Sequence, residues 1–153
     1  MRAIIQRVNS ASVSVSSQLI SQIQKGLMVL VGIDRTDTKE DMDYIVKKII
    51  NTKVWDDSDN KPWNASVKDK DYEILLVSQF TLYHKFKGNK LDFHCAMKTE
   101  EAKQFFADTV KQVKEQYKPE NVCEGAFGEY MNVALENDGP VTVIVDSRNR
   151  NTV

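Results

Sequence analysis

Alternating hydrophobic and polar residues in the first part of the chain predict β-strands. Residues Ala3–Val8 form a short apolar run, and Ala11–Ser16 alternate strictly, as expected for a sheet with one face in water. Residues Leu19–Gln24 alternate again. The continuous apolar run Leu27–Ile33 follows Gly26 and is too short for a typical helix. It therefore predicts a central strand that is buried on both faces.

Two later segments carry hydrophobic residues at helical spacing. The first follows Asp37-Thr38, which offers an N-cap, and the second begins at Thr99 and ends before Pro119. The apolar face of the first helix comprises Met42, Ile45, Val46, Ile49 and Ile50. The apolar face of the second comprises Ala102, Phe105, Phe106, Thr109, Val110, Val113 and Tyr117. Both patterns predict amphipathic helices that pack on a core.

The remaining elements are predicted from the same patterns. Residues Glu73–Leu82 favour a strong strand, and His84–Asp92 read as a lysine-rich loop. Residues Tyr130–Glu136 and Val141–Asp146 predict a final strand pair joined by a turn. Residues Ser147–Val153 are predicted to form a loose tail.

This order of elements predicts an α+β fold. We expect a mainly antiparallel, curled, barrel-like β-sheet with two flanking helices, and the helices between strands leave a mixed sheet open. The chain has 153 residues and contains no linker, repeat or low-complexity tract. Residues 1–153 are therefore predicted to form a single domain.

Composition narrows the classes of function. The formal net charge of −1 excludes wide, sequence-independent wrapping of nucleic acid, although a local basic patch could still grip a nucleic-acid end. Cys95 and Cys123 are the only cysteines, which suggests a reducing compartment. No apolar stretch approaches the roughly 20 residues that span a bilayer. We expect a cytoplasmic protein without a membrane partner.

Ordinary catalytic machinery is hard to find in the sequence. His84 and His94 are the only histidines, and no carboxylate lies at a metal-binding interval from either, so we predict no metal site and no cofactor. The pair His94-Cys95 suggests a thiol and an imidazole. Adjacent residues on a strand point to opposite faces, however, so a structural cysteine is expected.

Two short segments combine polar residues with strand-like surroundings. Ser78-Gln79-Phe80-Thr81-Leu82 ends a predicted strand, and Asn137-Asp138-Gly139-Pro140-Val141-Thr142 joins two others. Taken singly, each has an ordinary structural explanation. The first could be the polar face of an amphipathic strand, and the second could be a hairpin turn.

Together, the two segments resemble the paired signature of the D-aminoacyl-tRNA deacylases. The resemblance runs through nearly the whole chain and includes Ile5-Gln6-Arg7-Val8, Lys87-Gly88-Asn89-Lys90 and Phe127-Gly128. The chain departs from the usual pattern at Leu91, where the family commonly has proline. It also lacks the long basic C-terminal extension of some animal members, so no DNA partner is expected.

The resemblance implies a homodimer that hydrolyses the ester between a D-amino acid and the 3′ end of tRNA, with glycyl-tRNA as a side substrate. It also implies a cis Gly139-Pro140 peptide that enters the partner's pocket and rejects L-amino acids, with Asn137 and Met131 nearby. Glycine and proline suit that role, because glycine has no Cβ and X-Pro bonds adopt cis at low cost.

For the chemistry, the resemblance implies a catalytic segment of four residues, Ser78, Gln79, Phe80 and Thr81. Backbone groups of Gln79 and Phe80 would lie near the scissile carbonyl, and Ser78 would shape the adenosine site. An aminoacyl ester is already activated, so orientation and the substrate's own 2′-hydroxyl could suffice. Thr81 is the only candidate nucleophile, but no base is nearby in sequence, so a positioning role is favoured.

The lysine-rich segment offers contacts for tRNA phosphates. Lys85, Lys87 and Lys90 are the candidates, although a merely solvated loop would have the same composition. Two other functions remain open from the residues: a nucleic-acid-binding module without catalysis, and a hydrolase of another small D-amino-acid ester.

Overall fold

The structure is a computed structural model and describes residues 1–151. Its strands are β1 (Arg2–Val15), β2 (Gln18–Ile23), β3 (Gly26–Gly32), β4 (Glu73–Ser78), β5 (Lys85–Lys87), β6 (Lys90–Asp92), β7 (Val122–Glu124) and β8 (Asn132–Asp146). Its helices are α1 (Lys39–Asn51), the single turn α2 (Val67–Lys70) and α3 (Thr99–Gln116), with 3₁₀ turns at Phe80–Tyr83 and Pro119–Asn121. Within the described residues, no helix is long and apolar enough to cross a membrane.

Six strands form one mixed, curled sheet around the long strand β1. Strands β3 and β2 pair with successive parts of β1, and β8 pairs with β1 along nearly its whole length; all three pairings are antiparallel. Strand β4 lies beside β3 and β7 beside β4, both in parallel. Helices α1 and α3 supply the crossovers that parallel neighbours require. The predicted α+β fold with a barrel-like sheet is confirmed, but the sheet is mixed rather than mainly antiparallel.

Strand β3 is apolar throughout because both faces of the sheet are covered. Leu27, Val29 and Val31 belong to a core shared with the buried faces of α1 and α3. Met28 points to the other face and packs in a second core with residues such as Val13. The second half of β1 and the first half of β8 curl over this second face. The alternation along β3 thus separates two cores across one strand.

Two expected elements are shaped differently from the sequence pattern. Strand β4 ends at Ser78 rather than Leu82, because the Gln79 N–H makes the last backbone hydrogen bond to Val31 (2.8 Å) and the chain then turns. The expected loop His84–Asp92 instead contains a small antiparallel hairpin, β5–β6. Gly88, with φ at 63°, occupies the first position of its two-residue turn.

The last strand and the C-terminal segment also correct the sequence expectations. Residues 132–146 form one strand beside β1, so the expected hairpin between Tyr130–Glu136 and Val141–Asp146 is wrong. Alternation continues on both sides of the Gly-Pro pair because both halves pair with the same neighbour. Ser147 is buried, and its hydroxyl donates to Asp41 Oδ1 (2.6 Å). The predicted loose tail is therefore anchored at its start, and its residues 152–153 lie outside the described residues.

Candidate active site

A cleft of about 410 Å³ opens where the parallel strands β3 and β4 end and α3 begins. Its lining residues are Val31, Ile33, Ser78, Gln79, Phe80, Phe93, Ala96, Met97, Lys98, Thr99, Ala102, Phe127 and Gly128. Clefts at the carboxyl ends of parallel strands are common ligand sites, because loops diverge there and leave backbone groups unpaired. Three of the four residues expected to carry the chemistry, Ser78, Gln79 and Phe80, line this cleft.

The turn after β4 is held tightly against the end of β3. The Gln79 carbonyl accepts a hydrogen bond from the Leu82 N–H (3.3 Å) and closes the 3₁₀ turn. Gly32 permits this approach, since a Cβ there would lie 2.8 Å from Leu82 Cβ and 3.1 Å from the Gln79 carbonyl oxygen. The backbone at Gln79 and Phe80 is therefore fixed by the sheet rather than by a mobile loop.

Aromatic side chains border the cleft. Phe80 is 58% exposed, and its ring meets that of Phe93 edge to face at 5.0 Å. An exposed aromatic ring at the border of a cleft offers a surface on which a nucleobase can stack, at about 1–3 kcal/mol per base in proteins that bind single strands. Phe127 lines the cleft and packs against Phe106 of α3.

Thr81 lies beside the cleft but not among its lining residues. The side-chain amide of Gln79 donates to the Thr81 hydroxyl, and His84 Nδ1 contacts the Thr81 carbonyl at 2.9 Å rather than the hydroxyl. Within residues 1–151, no titratable side chain hydrogen-bonds to Thr81 Oγ1. The hydroxyl accepts an amide proton, which is not the environment of an activated nucleophile.

The segment Asn137–Thr142 is a large bulge in β8, here called the Gly-Pro bulge. Asn137 pairs with Val8 and Thr142 with Gln6, so six residues face three and three are extra. The Gly139–Pro140 peptide bond is cis, and both residues are exposed.

Side chains on both strands close the base of the Gly-Pro bulge. The Asn137 amide donates to the carbonyls of Arg7 (2.9 Å) and Val141 (3.1 Å). Arg7 Nε donates to the Asp138 carbonyl and lies 3.1 Å from Asp138 Oδ2, while Nη1 donates to the Val54 carbonyl. Arg7 was not among the predicted site residues, although its place in a resembling segment was visible. Its role depends on a contact between strands that are distant in sequence.

Within one chain, the cleft and the Gly-Pro bulge lie far apart. Ser78 is paired with Val31 on β3, and Val31 is paired with Ala3 on β1. Asn137, in contrast, is paired with Val8 on β1. Ala3 and Val8 are five residues apart on β1, which corresponds to about 17 Å along the strand. Gly139 and Pro140 do not line the cleft, and Met131 packs instead against the second core. The two predicted parts of the site are therefore not brought together in a single chain.

The three candidate phosphate contacts share one face of the β5–β6 hairpin. Lys87 is paired with Lys90, and Lys85 is paired with Asp92. Like charges opposite each other are unfavourable unless an anion lies between them. An ion pair from Lys87 and hydrogen bonds from His94 hold the pKa of Asp92 well below its usual range.

Of the remaining cleft residues, Phe127 and Gly128 lie in a resembling segment, but most of the others were not singled out from the sequence. Phe93, Met97 and Ala102 come from a hairpin end, a connecting segment and a helix, and each would pass as an ordinary core residue in its own window. For metals, no group of three or more His, Cys, Asp or Glu side chains in residues 1–151 could hold an ion.

Comparison with known proteins identifies relatives along the whole chain. The family model described as D-Tyr-tRNA(Tyr) deacylase matches residues 4–146. The D-aminoacyl-tRNA deacylase of Dictyostelium discoideum is 52% identical over 98% of this chain and 100% of its own. D-aminoacyl-tRNA deacylase 1 of Homo sapiens is 48% identical over 96% of this chain and 70% of its own.

Structure comparison agrees with the sequence matches. A solved structure named c-Myc DNA Unwinding Element Binding Protein superposes with a TM-score of 0.92 at 48% identity, covering 95% of this chain and 98% of that one. The family model matches most of the chain. The relatives named above are about 50% identical to it and are covered over 70% or more of their own length. The chain belongs to the D-aminoacyl-tRNA deacylase family of hydrolases.

Proposed function

We propose that this protein hydrolyses the ester bond of D-aminoacyl-tRNA in a site completed by two copies of the chain. The cleft of one protomer takes the 3′-terminal adenosine and the ester, and the Gly-Pro bulge of the other covers the amino acid. One observation carries this proposal. The family signature pairs the cleft with the bulge. Within one chain, however, the positions on β1 beside these two features are about 17 Å apart along the strand.

The Gly-Pro bulge has the properties of a chiral barrier. Gly139 and Pro140 are exposed at its tip, while Asn137 and Arg7 hold its base. A rigid obstacle rejects one enantiomer by steric exclusion, so the L side chain clashes and the D side chain points away. Glycine has no side chain to exclude, and glycyl-tRNA is therefore expected as a second substrate. Asn137 shapes the bulge rather than touching the substrate.

A partly exposed apolar row suits the interface between the two copies. Ile4 lies opposite Leu30 on β3 and opposite Ile144 on β8, and Ile144 is 51% exposed. A two-fold axis would put the same row on both partners, as isologous dimers require. The exposed Gly-Pro bulge belongs to the same strand as Ile144, so burying this row brings the bulge against the second copy.

The chemistry requires positioning more than an acid–base side chain. The backbone at Gln79 and Phe80 is fixed against β3 and lines the cleft, where it can orient the scissile carbonyl and stabilise its developing negative charge. The vicinal 2′-hydroxyl of the terminal ribose assists the attacking water. Ser78 shapes the adenosine site, and Phe80 offers its ring for stacking.

The basic face of the β5–β6 hairpin would contact the acceptor end of the tRNA. Its three lysines share one face of the hairpin, and the hairpin ends at Asp92, next to Phe93 in the lining of the cleft. A DNA-binding role, as in the name of the structural relative, is less well supported, because the chain carries a formal net charge of only −1. Aminoacyl-tRNA is used in translation, so we assign the protein to the cytoplasm.

The deciding experiment compares both enantiomers on two kinds of substrate. Purified protein should deacylate D-tyrosyl-tRNA and spare L-tyrosyl-tRNA, and it should act poorly on the ethyl ester of free D-tyrosine. Equal hydrolysis of both enantiomers would refute the chiral barrier. Preference for the free ester would favour a small-ester hydrolase, and tRNA binding without hydrolysis would leave only a binding module.

A further inference from the structure

A second group of reactive side chains lies outside the proposed active site, in the turn Phe93–Ala96. The Ala96 N–H donates to the Phe93 carbonyl (2.9 Å), and the Arg35 N–H donates to the Cys95 carbonyl (2.9 Å). Because residues 94 and 95 occupy a turn rather than a strand, their side chains need not point to opposite faces. The sequence expectation that separates His94 from Cys95 is therefore wrong.

Asp92, His94 and Cys95 form a chain of contacts from carboxylate to imidazole to thiol. Cys95 Sγ lies 3.4 Å from His94 Nε2, and His94 Nδ1 contacts Asp92 Oδ1. Asp92 also accepts the His94 N–H (2.9 Å) and pairs with Lys87, so the carboxylate is fixed and ionised. With the Nδ1 proton directed at Asp92, the lone pair on Nε2 faces the thiol. This is the order of a nucleophile, a base and a residue that orients the base.

Cys95 also lines a second cleft, of about 280 Å³. Its lining residues are Arg2, Asp34, Tyr83, His84, Lys85, Cys95, Asp146, Arg148 and Asn149. Among these cations, Arg2 is paired with Asp146 and Arg148 with Asp34 and Asp37, whereas Lys85 makes no ion pair within residues 1–151. The unpaired Lys85 favours an anionic ligand.

The lining of the same cleft also includes a buried hydroxyl group without a hydrogen-bond partner in residues 1–151. The Tyr83 hydroxyl makes no hydrogen bond within the described residues, although Tyr83 is only 7% exposed. Buried polar groups are normally satisfied, and an orphaned one commonly marks a place for a ligand or an ordered water. Within residues 1–151, the lining of the cleft thus combines a hydroxyl without a hydrogen bond, a lysine without an ion pair and a cysteine beside a base.

We propose that Cys95 is an activated thiol that exchanges with small anionic disulfides bound in this cleft, with His94 as its base and Asp92 as the residue that positions His94. In the exchange, His94 Nε2 takes the thiol proton and Cys95 Sγ attacks one sulfur of the disulfide. The disulfide S–S bond breaks as the new S–S bond to Cys95 forms, and the leaving thiolate takes the proton from His94. One thiol and one disulfide are consumed, and one mixed disulfide and one thiol result.

Cys123 provides an internal control in the same molecule. Burial and the nearby Glu73 carboxylate raise the pKa of the Cys123 thiol, and its sulfur lies 4.0 Å from the Gln22 carbonyl oxygen rather than beside a histidine. Both cysteines are half-buried. A difference in their rates therefore reports their local chemistry rather than the folding of the sample.

The experiment follows mixed-disulfide formation at each cysteine by peptide mass spectrometry at pH 7. Oxidised glutathione is the anionic probe and cystamine is the cationic one. Cys95 should react with oxidised glutathione at least about tenfold faster than Cys123 and faster than with cystamine. His94→Gln should remove most of that advantage, and Lys85→Gln should reduce the preference for the anionic probe.

The test of Asp92 as a positioning residue needs a measurement that a purely structural role would leave unchanged. Asp92→Asn should slow Cys95 several-fold without changing Cys123, and Asp92→Glu should recover part of the loss because it restores the carboxylate. Equal rates at the two cysteines, or an unchanged Cys95 rate in His94→Gln, would overturn the proposal. These rates do not depend on tRNA, so the result stands apart from the proposed function.

Discussion

At the scale of single residues, Thr81 decides between two mechanisms. Its hydroxyl accepts the Gln79 amide proton, and the nearest histidine binds the Thr81 carbonyl instead. We expect Thr81→Val, which removes the hydroxyl and keeps the shape, to retain activity on D-aminoacyl-tRNA within about tenfold of wild type, because losing a nucleophile would cost several orders of magnitude. Single-turnover kinetics would measure this. A folded but dead variant, or a trapped acyl-enzyme, would support covalent catalysis.

Gly139 allows a second test at the residue scale. Its φ is 121°, and a Cβ there would lie 2.8 Å from Val141 Cγ2 and 3.3 Å from Arg7 Nη2. Gly139→Ala should therefore reshape the Gly-Pro bulge, costing about 1–3 kcal/mol of stability and at least tenfold in deacylation rate. Urea unfolding and D-tyrosyl-tRNA hydrolysis would measure the two effects.

Gly88→Ala is the matched control for that substitution. Gly88 also has a positive φ, of 63°, but a Cβ there would meet nothing within 4 Å. It should lose about 1 kcal/mol of stability and keep its activity within a few-fold. Similar losses of activity in both variants would mean that backbone strain, rather than the shape of the bulge, explains the effect.

The residues of the site were only partly predictable. Ser78 and Gln79 could be singled out because polar residues at the end of an apolar strand are unusual, and Phe80 because it lies in the same family signature. Arg7 could not be assigned its role, since its partners Asp138 and Val54 are distant in sequence. Side-chain pairing across strands depends on register, which periodicity alone does not fix.

At the scale of elements, the β5–β6 hairpin shows a signal that composition obscured. The segment Lys85–Asp92 alternates around Gly88-Asn89, which is a known hairpin pattern, but its many lysines favoured a loop. In β8, by contrast, the sequence pattern suggested a hairpin that does not form. Two alternating stretches around Gly-Pro suggested a hairpin, whereas a bulge lets both halves pair with β1. Local patterns identify strands better than they identify partners.

The basic face of the hairpin leads to a prediction about salt. Replacing Lys87 and Lys90 with glutamine should lower kcat/KM for D-aminoacyl-tRNA about tenfold at low salt and reduce the salt dependence by roughly one to two units of slope. Hydrolysis of D-tyrosyl-adenosine, which lacks the preceding phosphates, should be unchanged. Lys47→Gln is the control, because it also removes a lysine charge from an exposed position but lies on α1, outside the hairpin. If the small substrate loses as much activity as the tRNA, the lysines do not act through phosphates.

At the scale of the whole molecule, the fold class followed from the order of strands and helices. Its mixed sheet did not, because parallel and antiparallel neighbours bury similar apolar runs, and only the crossovers through α1 and α3 decide between them. The same limit applies to the site. A signature in two segments predicts that they act together, but the sequence alone does not show that one chain holds them apart.

A complementation experiment tests whether two copies share one site. Ser78→Trp should fill the cleft, and Gly139→Ala should disable the Gly-Pro bulge, so each homodimer should be nearly inactive. Mixed dimers should regain one intact site of two, formed by the unaltered cleft of one protomer and the unaltered bulge of the other. Random exchange makes about half of the dimers mixed, so about a quarter of wild-type activity should return.

The control for this complementation carries both substitutions in one chain, mixed with wild-type protein. If the cleft of one chain uses the bulge of the other, each such mixed dimer pairs an intact cleft with a damaged bulge and a damaged cleft with an intact bulge, so it has no working site. Activity should then fall below the level expected if the double variant merely diluted the wild-type protein. If each chain used its own bulge, the wild-type half would stay active and the two single variants would not rescue each other. Native mass spectrometry would verify that mixed dimers form, and a chain that stays monomeric yet active would refute a shared site.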